Sequence, residues 1–277
     1  EHEAYLQYYF PEIKRGLFLP LAGTSWWEED TLPKWEERPY DVVFTGNYTP
    51  LSKFEPTIER HGKEYADFYY GIIEDFKKHP HLGMDIGIRE HLLSEVEDIT
   101  EDGVKEMMPN MIMIDLYVRN YFRGKVVQTL VDAGVSVHCF GAGWEFLPCE
   151  HPENLIKEGG VDSLACLQAL SKAKVSLNVM PWFKDGAHDR VFNSMLNGAV
   201  CFTDWSRYLT ENLRDGEDIF FYELDALECL PDMVQGILEN RKKWEHMQKA
   251  AYETAEKSHT WEHRAGAVHK EILSKIR

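Results

Sequence analysis

Short runs in which nearly every position is apolar alternate along this chain with longer stretches whose apolar residues recur every three or four positions. Tyr40-Asp41-Val42-Val43-Phe44-Thr45-Gly46 is the clearest short run. Its β-branched and aromatic residues end on glycine, as expected of a strand buried on both faces that empties into a loop. Val135 to Gly141 repeats the pattern and runs into Ala142-Gly143-Trp144. Lys174 to Val179 is strand-like and stops at Pro181, and Ala199 to Thr203 forms a further strand. Phe122, Val126, Leu130 and Ala133 lie on one stripe and predict a helix closed by Gly134. Asp162 is placed to cap a helix carrying Leu164, Leu167 and Leu170. A short helix is expected from about His188 to Asn197, and the tail from Pro231 to Ile276 reads as mainly helical. Strands and helices alternate with Gly or Pro at the strand exits, which predicts an α/β domain with an open, mostly parallel sheet.

Two stretches depart from that alternation. Residues 1–38 are aromatic, proline-punctuated and poorly periodic, and read as a linker or the remnant of a preceding N-terminal domain. The chain starts without Met, which fits a piece of something longer. The domain proper is expected over 39–277, with a polar helical insertion at about 52–117. Glu95 to Asp102 places five acids within eight residues of that insertion, either as a solvated face or as a docking surface for a basic partner.

Charge narrows the possible partners. Acids number 47 against 30 Lys plus Arg, for a formal net charge of −17. Nucleic-acid binding would require a basic stripe to displace counterions, so that class is excluded, as is a polybasic membrane anchor. No run approaches the roughly 18 apolar residues of a membrane span. Five cysteines without a CxxC pair predict reduced thiols in a cytoplasmic protein.

The candidate chemistry lies at the strand exits, where open α/β sheets bind ligands. Three exits follow one another: Gly46-Asn47-Tyr48, Gly141-Ala142-Gly143-Trp144, and Pro181-Trp182-Phe183-Lys184-Asp185-Gly186. The third leads into Ala187-His188-Asp189-Arg190-Val191-Phe192. That segment puts a His and an Arg where unpaired backbone N–H groups and the positive helix end attract an anion. Arg190 has the planar fork that suits a phosphate; a salt bridge to one of the many acids is the alternative. His259-Thr260-Trp261-Glu262-His263 matches a zinc-protease pattern. Only Glu271 is available downstream as a third ligand, so no catalytic metal is expected. His79-Pro80-His81 cannot chelate across its proline and reads as surface. No GxSxG, Walker A or full GxGxxG motif is present.

Taken together these segments resemble the C-terminal donor-binding domain of glycosyltransferases with the GT-B fold, built from two Rossmann-like halves, and in style the CgeB-like (spore-maturation type) bacterial enzymes. The matching residues are the Tyr40–Gly46 and Val137–Trp144 runs, Ala173–Val179, Asp189–Ala199, Thr203-Asp204 and His259–Ala265. The resemblance implies transfer of a sugar from a nucleotide-diphosphate sugar, UDP-linked, to an unidentified acceptor, without metal or other cofactor. It implies that Gly46 and Asn47 border the sugar-phosphate cleft, with Gly141 and Trp144 beside them. Gly160 and Val161 would read the base, and Gly186, His188 and Arg190 would hold the diphosphate and serve catalysis. Asn193 stands where related enzymes carry a ribose-binding Glu, which weakens that contact. It also implies an N-terminal acceptor domain that this chain lacks. The alternative function is a non-catalytic nucleotide-binding or scaffold domain that docks a partner through its acidic insertion.

Overall fold

The computed structural model describes residues 2–26, 32–181 and 184–276. Six strands form one sheet: β1 (Tyr40–Thr45), β2 (Val137–Phe140), β3 (Leu155–Gly159), β4 (Ala173–Asn178), β5 (Val200–Asp204) and β6 (Phe220–Tyr222). Their order is β3-β2-β1-β4-β5-β6 and every pairing is parallel. A parallel sheet needs cover on both faces, which accounts for strands that are apolar at nearly every position. Val42 and Phe44 enter one core and Val43 the opposite one, all without exposed surface. The strand order is that of doubly wound, Rossmann-like folds, and its direction reverses between β1 and β4.

The connection from β1 to β2 holds α2 (Glu55–Glu59), α3 (Lys63–Lys78), α4 (Met84–Glu95), α5 (Glu101–Met107) and α6 (Ile112–Asp132). The helical insertion therefore runs on into α6, a single 21-residue helix that passes through the boundary expected at 117. Phe122, Val126 and Leu130 of α6 are buried, as their spacing predicts. α7 (Ser163–Ser171) starts where expected, with the Asp162 carboxylate accepting the Ala165 N–H at 2.8 Å, but Leu164 faces solvent. α8 (Asp189–Leu196) follows β4 and α9 (Arg207–Asn212) follows β5. The tail is α10 (Leu230–Leu238), α11 (Arg241–Ser258) and α12 (Trp261–Ile276).

The N-terminal residues lie along this domain. In α1 (His2–Tyr9) Tyr9 is buried, with Arg89 of α4 over the Tyr8 ring at 5.2 Å. Further on, Arg264 of α12 donates to the carbonyls of Pro20 and Leu21, and Gly23 bridges to Thr260. Arg38 is buried beneath the sheet and donates to the carbonyls of Pro33, Ala173 and Asn197 at 3.0, 2.6 and 3.3 Å. Burial alone pushes its pKa down to about 9, so it remains a charged clasp at neutral pH. Among the described residues no helix is long and apolar enough to cross a membrane.

Candidate functional site

The exits of β1 and β2 are joined backbone to backbone. Gly46 N–H donates to Phe140 O at 2.8 Å, Tyr48 N–H to Ala142 O at 3.0 Å, and Ala142 N–H to the Asn47 side-chain oxygen at 2.8 Å. A Cβ on Gly141 would stand 2.2 Å from Gly46 O, so only glycine allows this approach. Trp144 donates its indole N–H to Gly46 O at 2.8 Å and stacks on Tyr48. The Trp144 side chain is wholly buried in this arrangement. Trp144, Asn47 and Gly141 shape the loop from below.

Arg190, the second residue of α8, projects to the reversal point of the sheet. Its guanidinium donates to Thr45 O at the end of β1, 2.8 Å away, and reaches Val179 O just past β4 at 3.5 Å. Gly46 makes room for it, since a Cβ there would meet Arg190 Nη1 at 2.8 Å. Arg190 is only 8% exposed and has no salt bridge among the described residues, which removes the ion-pair alternative. Burial pulls its pKa below the ordinary arginine value.

A second cation, not anticipated from the sequence, completes the site. Arg123 of α6 donates to Asn47 O, and its guanidinium lies 5.9 Å from the centre of the Phe44 ring. The Arg190 guanidinium lies 5.4 Å from the same ring. The Nε–H groups of both arginines are buried without a partner. Burial, then Arg190 and Arg119, push the Arg123 pKa down to about 9. Two like charges held in low dielectric without an ion-paired carboxylate, Arg190 being steadied only by the charges of Asp189 and Asp204, favour an anion that joins them. The sequence signal for Arg123 was a polar stripe on α6: buried Asn120 accepts Thr49 N–H at 2.9 Å, and Arg123 and Gly124 follow one turn later on the same face.

The other expected site residues are distributed as follows. His188 caps α8, with Nδ1 2.6 Å from Asp189 Oδ1 and 3.2 Å from Arg190 N. Burial, then Arg190, lower its pKa. Burial raises that of Asp189, but His188 and Arg190 outweigh it and the net shift is downward. The Gly186 carbonyl accepts from the Ser206 hydroxyl. Gly160 and Val161 follow β3, two strands from β1, and are exposed. Asn193 is occupied on both sides, accepting Thr24 N–H at 2.8 Å and donating to Asp189 at 3.2 Å, so the N-terminal segment holds it. Asp204, at the end of β5, accepts Met180 N–H at 2.7 Å. Its other oxygen is buried without a partner, and burial lifts its pKa to about 6. Trp182 and Phe183 lie outside the described residues.

The two arginines stand at the reversal point of a Rossmann-like sheet, where open α/β folds bind their ligands. The chain belongs to the glycosyl transferase-like family, whose model matches residues 123–270. No protein among curated sequences matches it. Of solved structures, the GtfA/B complex is similar over 99% of this chain and 43% of that one, with 12% identity and a TM-score of 0.50, which places the fold among GT-B glycosyltransferases. Anabaena Alr3699/HepE in complex with UDP-glucose matches over 56% of this chain and 44% of that one, at 10% identity and a TM-score of 0.45. S. aureus TarM, in complex with UDP among other ligands, matches over 56% and 32%, at 14% identity and a TM-score of 0.44. The matched region spans less than half of each of those chains.

Proposed function

We propose that this domain binds the diphosphate of a nucleotide sugar, UDP-linked, and supports transfer of the sugar to an unidentified acceptor bound by an N-terminal acceptor domain. The observation that carries the reading is the pair Arg123 and Arg190 over Phe44, each with a buried, unpartnered Nε–H, at the point where the sheet reverses. A nucleoside diphosphate supplies the missing anion. In this account the two guanidiniums and the first turn of α8 take up the negative charge that develops on the departing diphosphate. They do electrostatically what a divalent ion does elsewhere, so transfer is metal-independent. His188, neutral at pH 7 with its Nδ1–H held by Asp189, offers Nε2 as an acceptor for a hydroxyl of the donor sugar. Gly160 and Val161 present backbone groups to the base. The CgeB-like placement and the cytoplasmic location belong to the same proposal.

The test is calorimetric titration of the protein with UDP, GDP, ADP and TDP, with and without Mg²⁺. Saturable binding of one diphosphate, unaffected by Mg²⁺, is expected and identifies the base. Failure of all four to bind would overturn the reading and favour a scaffold domain.

A further inference from the structure

We infer that the rim of the sheet carries a divalent-metal site, built from His81, Glu223 and Asp225 and independent of the donor reading. His81 lies in the α3–α4 loop, whereas Glu223 and Asp225 follow β6, so two distant parts of the chain converge there. The ligand atoms of all three residues lie within 4.8 Å of one another, the one such group among the described residues.

The distances fit a shared ion as well as an ion pair. His81 Nε2 stands 3.4 Å from Glu223 Oε2 and 3.5 Å from Asp225 Oδ2. Both exceed the roughly 2.7–3.2 Å of an N–H···O hydrogen bond. Ligand atoms about 2.0–2.2 Å from a tetrahedral zinc stand about 3.3–3.6 Å apart, which is the spacing of His81 Nε2 from each carboxylate. One nitrogen and two carboxylate oxygens suit a borderline ion of the zinc class, with water completing the coordination.

The set is also held in place from outside. The His81 ring stacks on Trp205, which follows β5, with centroids 5.3 Å apart and planes within 22°. The Trp205 indole N–H in turn donates to Glu223 Oε2 at 3.0 Å. One aromatic residue therefore orients both an imidazole and a carboxylate, which is how outer partners fix metal ligands. Lys184 donates to the carbonyl of the neighbouring Pro80 and ties the same loop to the β4 exit. A bound ion would clasp the helical insertion to the far edge of the sheet. The proline that prevents His79 and His81 from chelating together does not prevent His81 from joining carboxylates from elsewhere.

The experiment is titration of the full chain with Zn²⁺ and with Co²⁺, read by calorimetry and by the visible absorption of four-coordinate cobalt. The variants are His81→Ala and the double variant Glu223→Gln/Asp225→Asn. One ion per chain is expected, with affinity falling at least about tenfold in each variant. Zn²⁺ should raise the melting temperature of the parent protein but not that of the variants. All three residues are exposed, so the variants should fold. Equal metal affinity in parent and variants would overturn the proposal, as would no uptake at micromolar free metal. UDP titration of the same variants keeps the two readings apart, since donor binding should not change.

Discussion

Arg123 and Arg190 come from helices on either side of the chain's central connections, yet their guanidiniums rest on the same Phe44 ring, at 5.9 and 5.4 Å. Neither forms an ion pair among the described residues, Arg190 being steadied by the charges of Asp189 and Asp204 without one, and Arg190 lowers the pKa of Arg123. A stable fold tolerates such a pair where an anion is to be bound.

Replacing Arg190 with Ala should weaken binding of the nucleoside diphosphate by about 1.5–3 kcal/mol, the range for hydrogen bonds to charged groups. Arg123→Met should weaken it comparably. The same Arg123→Met change should leave the melting temperature of the unliganded protein unchanged or higher, because it removes a buried, unpaired Nε–H and a like charge. Calorimetry and thermal unfolding of the same samples check both parts.

Arg38 provides the contrast. Its guanidinium is wired to backbone carbonyls on several sides, so Arg38→Met strands buried acceptors at Ala173 and Asn197. Unfolding in denaturant should show a loss of about 3 kcal/mol or more, and nucleotide affinity of the folded fraction should be unchanged.

Gly46→Ala should uncouple the site from the sheet. The new methyl would stand 2.8 Å from Arg190 Nη1, in a backbone conformation with φ +151° that side chains rarely adopt. Diphosphate affinity should fall by at least about tenfold, since displaced hydrogen bonds to a charged group cost roughly 1.5–3 kcal/mol. Unaltered affinity would mean that Arg190 need not hold the Thr45 carbonyl to work.

Asp204 makes a pH prediction. Its folded pKa of about 6 lies above the ordinary carboxylate value of about 3.9. The folded state therefore binds that proton more tightly. The resulting stabilisation is fully present below pH ~4 and is lost as pH rises through about 6, amounting to roughly 2–3 kcal/mol. His259, held down to about 4 by burial and then by Arg264, opposes it: protonation below pH ~6.5 favours unfolding. The difference between parent and Asp204→Asn isolates the first group. It should change across pH 4–6 and be flat above pH ~7.

Much of this architecture was legible in the residues. Of the four central strands β1, β4 and β5 are largely buried on both faces and β2 on one, and all four could be read directly. β3 and β6 were not anticipated, because Leu155–Gly159 is an edge strand that is mostly exposed and polar, and Phe220–Tyr222 is only three residues long. Arg190 could be read from its place at a helix start after a glycine loop. Arg123 was missed because it lies on a crossover helix that buries residues around much of its circumference, so the short polar stretch at Asn120 and Arg123 does not stand out. Trp144, beside glycines at a strand exit, is packed between Tyr48 and Phe44, an enclosure that its local sequence does not show. Asn193 was read against related enzymes, whereas its partners here are Thr24 and Asp189.

The most direct test of the central claim is calorimetric titration of UDP into the parent protein and into the Arg123→Met/Arg190→Met double variant, without metal. The account predicts saturable binding by the parent and loss of it in a double variant that remains folded. Equal affinity in the two proteins would contradict the assignment of the arginine pair as the diphosphate site.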